Sequence, residues 1–145
     1  MRALVLPSPR GYLALTLSAL LTGCGSGNQQ GLQQAEACSD PVVACVLSNG
    51  MSLQTNVAPR ILAPIEVKVR DVSVSVTAVR VEASMSGMDM PPVGVDLRGS
   101  GPSEWSGQLI LPVCSQGRSD WLWTVVTRVD QGEQRTVVAV QAGAP

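Results

Sequence analysis

From residue 42 onward apolar and polar positions alternate with a period of two, interrupted by turn residues. Pro64-Ile-Glu-Val-Lys-Val-Arg70 sets Ile65, Val67 and Val69 against Glu66, Lys68 and Arg70, which predicts a strand with one buried and one wet face. Residues 72–83 alternate again after a turn at Asp71, with Val79 and Val81 opposed to Arg80 and Glu82. Asn49-Gly50 lies between the apolar stretches 42–48 and 51–57, a strong hairpin signal. Further strands are expected over 93–98 and 104–111, separated by a Gly-Ser-Gly-Pro loop at 99–102. A strand over 121–129 places Trp121, Trp123 and Val125 on one face, and a turn at Gln131-Gly132 leads to a last strand over 134–141. No segment has the 3.6-residue period of an amphipathic helix. Seven or eight short strands with regular turns predict an all-β domain, an immunoglobulin-like antiparallel β-sandwich. With no phenylalanine in the chain, valines and three tryptophans must fill its core, methionine supplementing them.

The first residues follow a different pattern. Residues 1–23 carry Arg2 and Arg10, then an apolar run from Tyr12 to Leu21 and small residues before Cys24. A basic start, an apolar stretch too short to span a bilayer stably and a processing site predict a secretion signal. Leu21-Thr-Gly-Cys24 resembles the bacterial lipoprotein box. That resemblance implies a diacylglycerol on the Cys24 thiol, which then becomes the N-terminus and attaches the protein to a membrane. Two or more acyl chains make a stable anchor, at roughly 0.8 kcal/mol per buried methylene. The alternative is an ordinary cleaved signal that leaves Cys24 as a thiol. Gly25 stands where inner-membrane retention in enteric bacteria wants aspartate, which favours the outer membrane over the inner one. Residues 24–37, Gly-, Ser-, Asn- and Gln-rich with a single leucine, predict a flexible tether of about 20 Å. The folded domain is expected over 38–145, facing the periplasm.

Composition narrows the chemistry. Of ten basic residues two leave with the signal, so eight face eleven acidic ones. A mildly acidic surface without a basic run argues against nucleic-acid binding. The chain has no histidine, which excludes nucleophile–histidine dyads and triads, and its single lysine, Lys68, sits on the wet face of a strand. A non-catalytic protein is expected. If Cys24 is lipidated, Cys38, Cys45 and Cys114 remain, an odd number in an oxidising compartment. One disulfide and one free thiol is the simplest arrangement. Cys38 and Cys45 can close a small loop, while a bond from Cys114 to either would staple the N-terminal segment to a distant strand. A thiol–disulfide oxidoreductase would want a Cys-x-x-Cys, which is absent.

The candidate chemistry lies in Met-Ser-Gly-Met-Asp-Met-Pro-Pro, residues 85–92. Thioethers are soft ligands suited to monovalent copper. In extended conformation Met88 and Met90 share one side and Met85 takes the other. Gly87 can turn the chain and swing Met85 round to them, and Pro91-Pro92 ends the strand. Met85, Met88 and Met90 are therefore candidate ligands for Cu(I), with Asp89 facing solvent and Met51 remote. The competing reading is packing, since methionine fills irregular apolar gaps. The strand running into Met-Ser-Gly-Met-Asp-Met90, followed by a further strand and a Trp-bearing hairpin, resembles the YtkA-like and FixH-like small bacterial envelope β-sandwich proteins. It is also similar to envelope proteins with a Cys-x6-Cys near the start, here Cys38 and Cys45, and a Leu-Pro-Val-Cys, here Leu111 to Cys114, before a tryptophan, here Trp121. The resemblance implies copper handling or cytochrome oxidase assembly, with a Sco-type copper chaperone or an oxidase-assembly protein as partner. The chain departs from that pattern in having Pro91-Pro92 where Met-Gly is usual and in lacking histidine.

Overall fold

The structure, a computed structural model, describes residues 34–73 and 75–145. The expected signal over 1–23, Cys24 and most of the tether lie outside the described residues. Those described form nine strands and no helix: β1 Glu36–Ala37, β2 Cys45–Val46, β3 Ser52–Thr55, β4 Pro64–Arg70, β5 Val76–Ser84, β6 Val93–Gly101, β7 Glu104–Ile110, β8 Asp120–Val129 and β9 Gly132–Gln141. They pair as one curled sheet in the order β1-β9-β8-β5-β6-β7-β4-β3-β2. Every pairing is antiparallel except β1 with β9.

The curl originates in β6. Its first half pairs with β5, Ala83 opposite Val93 through Val79 opposite Leu97, and its second half pairs with β7, Arg98 opposite Ser106 to Gly101 opposite Glu104. The two halves of the sheet share one core. Leu53, Ile65, Val67, Val69, Leu109 and Leu111 come from one half, and Val79, Val81, Ala83, Trp121, Trp123, Val125, Val138 and Val140 from the other. At the hand-over, a Cβ on Gly107 would stand 2.7 Å from Leu97 Cδ2. Only a bare backbone lets Leu97 close the core there.

The alternation read in β4, β5 and β8 is the alternation of burial observed. Trp121 and Trp123 are fully enclosed, yet their indole N–H groups have no hydrogen-bond partner among the described residues. Burying each ring stabilises by about 4–6 kcal/mol from the area such rings cover, against about 1–3 kcal/mol for an orphaned donor. The ring term wins. Trp105 is only half-buried against the core, and Met51 and Met85 complete it.

Several boundaries differ from the expected ones. The Asn49-Gly50 hairpin forms, but as a three-residue turn: Gly50 N donates to Leu47 O (2.9 Å) and Leu47 N to Met51 O (2.8 Å). Gly50 has φ 84°, as in a type I turn closed by a bulge. β5 begins at Val76, later than expected, because Asp71 (φ 60°) and the bond from Val76 N to Ser73 O hold the start of that segment in a turn. The loop expected at 99–102 is shorter, since β6 runs to Gly101 through an irregular pairing with β7. The sheet also starts before residue 38. Glu36 and Ala37 pair with Val138 and Ala139, and the Glu36 carboxylate accepts from Ser48 N (2.8 Å) and Ser48 Oγ (2.6 Å).

Cys38 and Cys45 form a disulfide with a Cα–Cα distance of 5.6 Å, and Cys114 is a buried free thiol. The bond closes the loop whose Pro41 carbonyl accepts from Thr55 N at 2.8 Å. Replacing both cysteines by alanine is expected to cost about 2.5 kcal/mol of stability for a loop this short, measured by urea denaturation with and without reductant; a reductant effect that persists in the variant would exclude this pairing as its source. Gly107→Ala is expected to cost about 1–3 kcal/mol by forcing Leu97 aside, read as a lowered denaturation midpoint at unchanged slope.

Candidate functional site

Two connections meet at one end of the sheet. Residues 85–92 join β5 to β6, and residues 111–119 join β7 to β8. Because Ser84 at the end of β5 pairs with Leu122 near the start of β8, the connections that leave and enter these positions lie side by side. Met51 sits at the opposite end, next to Ser52, which pairs with Arg70 at the far end of β4.

Local geometry follows from Gly87. Met88 N donates to Met85 O at 3.4 Å and Gly87 has φ 73°, a four-residue turn whose third position requires a left-handed backbone. Met85 keeps the inward parity of Val79, Val81 and Ala83, one step beyond the last β5–β8 pair and level with Trp121. It is a core residue. Met88 emerges from the turn half-buried, and Met90 packs against the core from the rim. Asp89 is exposed, as expected.

The sulfur that meets Met88 comes from the other connection. The Cys114 thiol, only 4% exposed, donates to Met88 Sδ at 3.1 Å. Its own segment is braced by Gly117 N donating to Cys114 O at 3.0 Å. Of the expected ligand set, the structure brings Met88 to Cys114, draws Met85 inward and leaves Met90 at the rim. Two soft donors therefore touch, one thioether and one thiol, a pair matched to a soft monovalent ion. Among the described residues no three of His, Cys, Asp or Glu gather as a metal site.

Arg118 ties the two connections together. Its Nη1 donates to Ser86 O at 2.7 Å, inside the methionine turn, while Nε donates to Asp120 Oδ1 at 2.9 Å and Nη2 pairs with Asp120 Oδ2. The bonds from Arg118 hold the Asp120 carboxyl below the usual aspartate range. Arg118 is held more firmly protonated, foremost by its hydrogen bond to Asp120, with the electrostatic influence of Cys114 acting in the same direction. The alternation of residues gave no signal for Arg118, nor for the meeting of Cys114 with Met88. Both depend on β5 lying beside β8 although β6 and β7 intervene in sequence.

Comparison of the chain with family models, curated proteins and solved structures finds no match. The likeness to YtkA-like and FixH-like proteins thus rests on its short motifs alone.

A group whose folded pKa is depressed contributes stability above its unfolded pKa and loses it as the pH falls through the folded value. For Asp120, whose ordinary value is 3.8, the Asp120→Asn variant should melt below the wild type at neutral pH. That gap should close as the pH is lowered past 3.8; a constant gap in thermal melts would mean that the carboxylate charge is not what Arg118 uses.

Proposed function

We propose that this chain is a non-catalytic envelope lipoprotein, held to a membrane through Cys24, whose β domain presents the methionine turn as a low-affinity site for monovalent copper. Its role would be to carry the ion for, or to dock with, a copper chaperone or an oxidase-assembly protein. The immunoglobulin-like sandwich reading of that domain draws on the two halves of the curled sheet sharing a core. The copper reading is carried by one observation, the 3.1 Å approach of Met88 Sδ to the Cys114 thiol at the end of the sheet where Met85 and Met90 also lie. Met88 would hold the ion there, with Met90 available at the rim. Monovalent copper supplies no reaction in this scheme and is cargo. Thioether ligands suit cargo because they are uncharged and soft, favouring monovalent copper over harder ions.

A second reading, a metal-free structural or protein-interaction module of the envelope, is favoured by Met85. Its burial beside Val79, Val81 and Ala83 is what methionine does as a core filler.

Replacing Met85, Met88 and Met90 together by leucine separates the two. The substitution keeps apolar volume and costs less than about 1.5 kcal/mol per site, but removes the sulfur. Under anaerobic titration with monovalent copper against a competing chelator, the wild type is expected to bind stoichiometrically and the triple variant to bind at least about tenfold more weakly, while still folded, with a melting temperature lowered by several degrees through Met85 in the core. Binding at undiminished affinity in the variant would overturn the methionine site, and absence of binding from the wild type would overturn the copper reading. A variant that loses only stability would favour the metal-free module.

A further inference from the structure

We propose that Cys114 is the anionic ligand of the copper site and that Arg118 is its positioning residue, holding the methionine turn down over the thiol. This rests on the copper reading above and deepens it.

Methionine sulfurs alone leave a bound monovalent ion with its full charge in a part-buried position. A thiolate cancels that charge, and an ion taken out of water is tolerated when it is paired. Cys114 is the thiol in position to do so. It lies outside the disulfide, is almost wholly buried, and is already in contact with a thioether. Loading replaces the S–H bond of Cys114 by a sulfur–copper bond. The proton leaves to solvent, copper stays monovalent, and no electron is transferred. The contact that the S–H makes with Met88 Sδ is given up in the same step, so both sulfurs are freed toward the ion together.

Access to a thiol this buried requires the turn above it to move. That turn is attached to the Cys114 connection through Arg118, which reaches Ser86 O at 2.7 Å and is itself oriented by Asp120. The guanidinium thus bridges the segment carrying Met88 and the segment carrying Cys114, without needing to touch the ion. Partners of this kind, one step away from the ligands, set how well the ligands are placed.

The test uses the full chain with Cys24→Ser, which leaves Cys114 as its single thiol outside the disulfide, loaded anaerobically with monovalent copper. A near-ultraviolet thiolate-to-copper band is expected in this protein and not in the same protein with Cys114→Ala. Copper should also slow iodoacetamide labelling of Cys114, a readout on the chain with Cys114 intact. Arg118→Ala should weaken copper binding by about tenfold at a temperature where the variant, destabilised by loss of the Asp120 pair, is still fully folded, and Arg118→Lys should restore part of it. Copper bound without the band, at undiminished affinity after Cys114→Ala and without protection from labelling, would overturn the role of Cys114 while leaving the methionine site standing. No copper binding at all would overturn both. Unchanged affinity in Arg118→Ala would remove Arg118 from the site.

Discussion

The pairing of β5 with β8 is the constraint on which the rest of this molecule depends. The ladder runs from Val76 opposite Val129 to Ser84 opposite Leu122, between strands that are not neighbours in sequence. On its inward face it stacks Val81 against Val125 and Ala83 against Trp123, cross-strand pairs that stabilise a sheet through side-chain contact. The small Ala83 sits opposite one of the largest residues in the chain. Beyond the last pair, the same register sends Met85 inward at the level of Trp121 and brings the methionine connection beside the one that carries Cys114.

That placement divides one short segment between two roles. Met85 belongs to the core by parity, and Gly87 then reverses the chain so that Met88 faces a second connection instead of solvent. Packing and ligand chemistry are usually alternatives for methionine. Here Met85 is a core residue while Met88 and Met90, half-buried, pack against the core from the connection. The end of the sheet is closed by a basic residue, Arg118, joined to a carbonyl and a carboxylate, so that the connection is held by polar bonds at its surface and by apolar packing beneath.

The curl of the sheet has a separate origin. β6 changes partners midway, from β5 to β7, and Gly107 leaves room for Leu97 to seal the point where β6 and β7 part. A sheet curled in this way gathers both halves around one core, and among the described residues no helix covers either face. Its outer strands, β1 and β2, are two residues each, and β1 pairs with only Val138 and Ala139 of the ten-residue β9.

Much of this was legible in the chain. Period-two alternation gave β4, β5 and β8 with their buried faces, because side chains on a strand point alternately to either side and water sorts them. Asn49-Gly50 marked its hairpin, and the absence of phenylalanine foretold a core of valine and tryptophan. Local signals of this kind need only neighbouring residues. What only the tertiary structure decided is non-local: that Cys38 pairs with Cys45 and leaves Cys114 free, that β6 is shared by both halves of the sheet, that Glu36 and Ala37 join it, and that Met88 rests on Cys114 under Arg118. Each depends on which distant strands lie side by side, and alternation is the same for a strand whichever neighbour it takes. The choice of neighbour is made by the fit of whole buried faces, Trp121 and Trp123 among them, a sum over many residues that no short stretch of sequence carries.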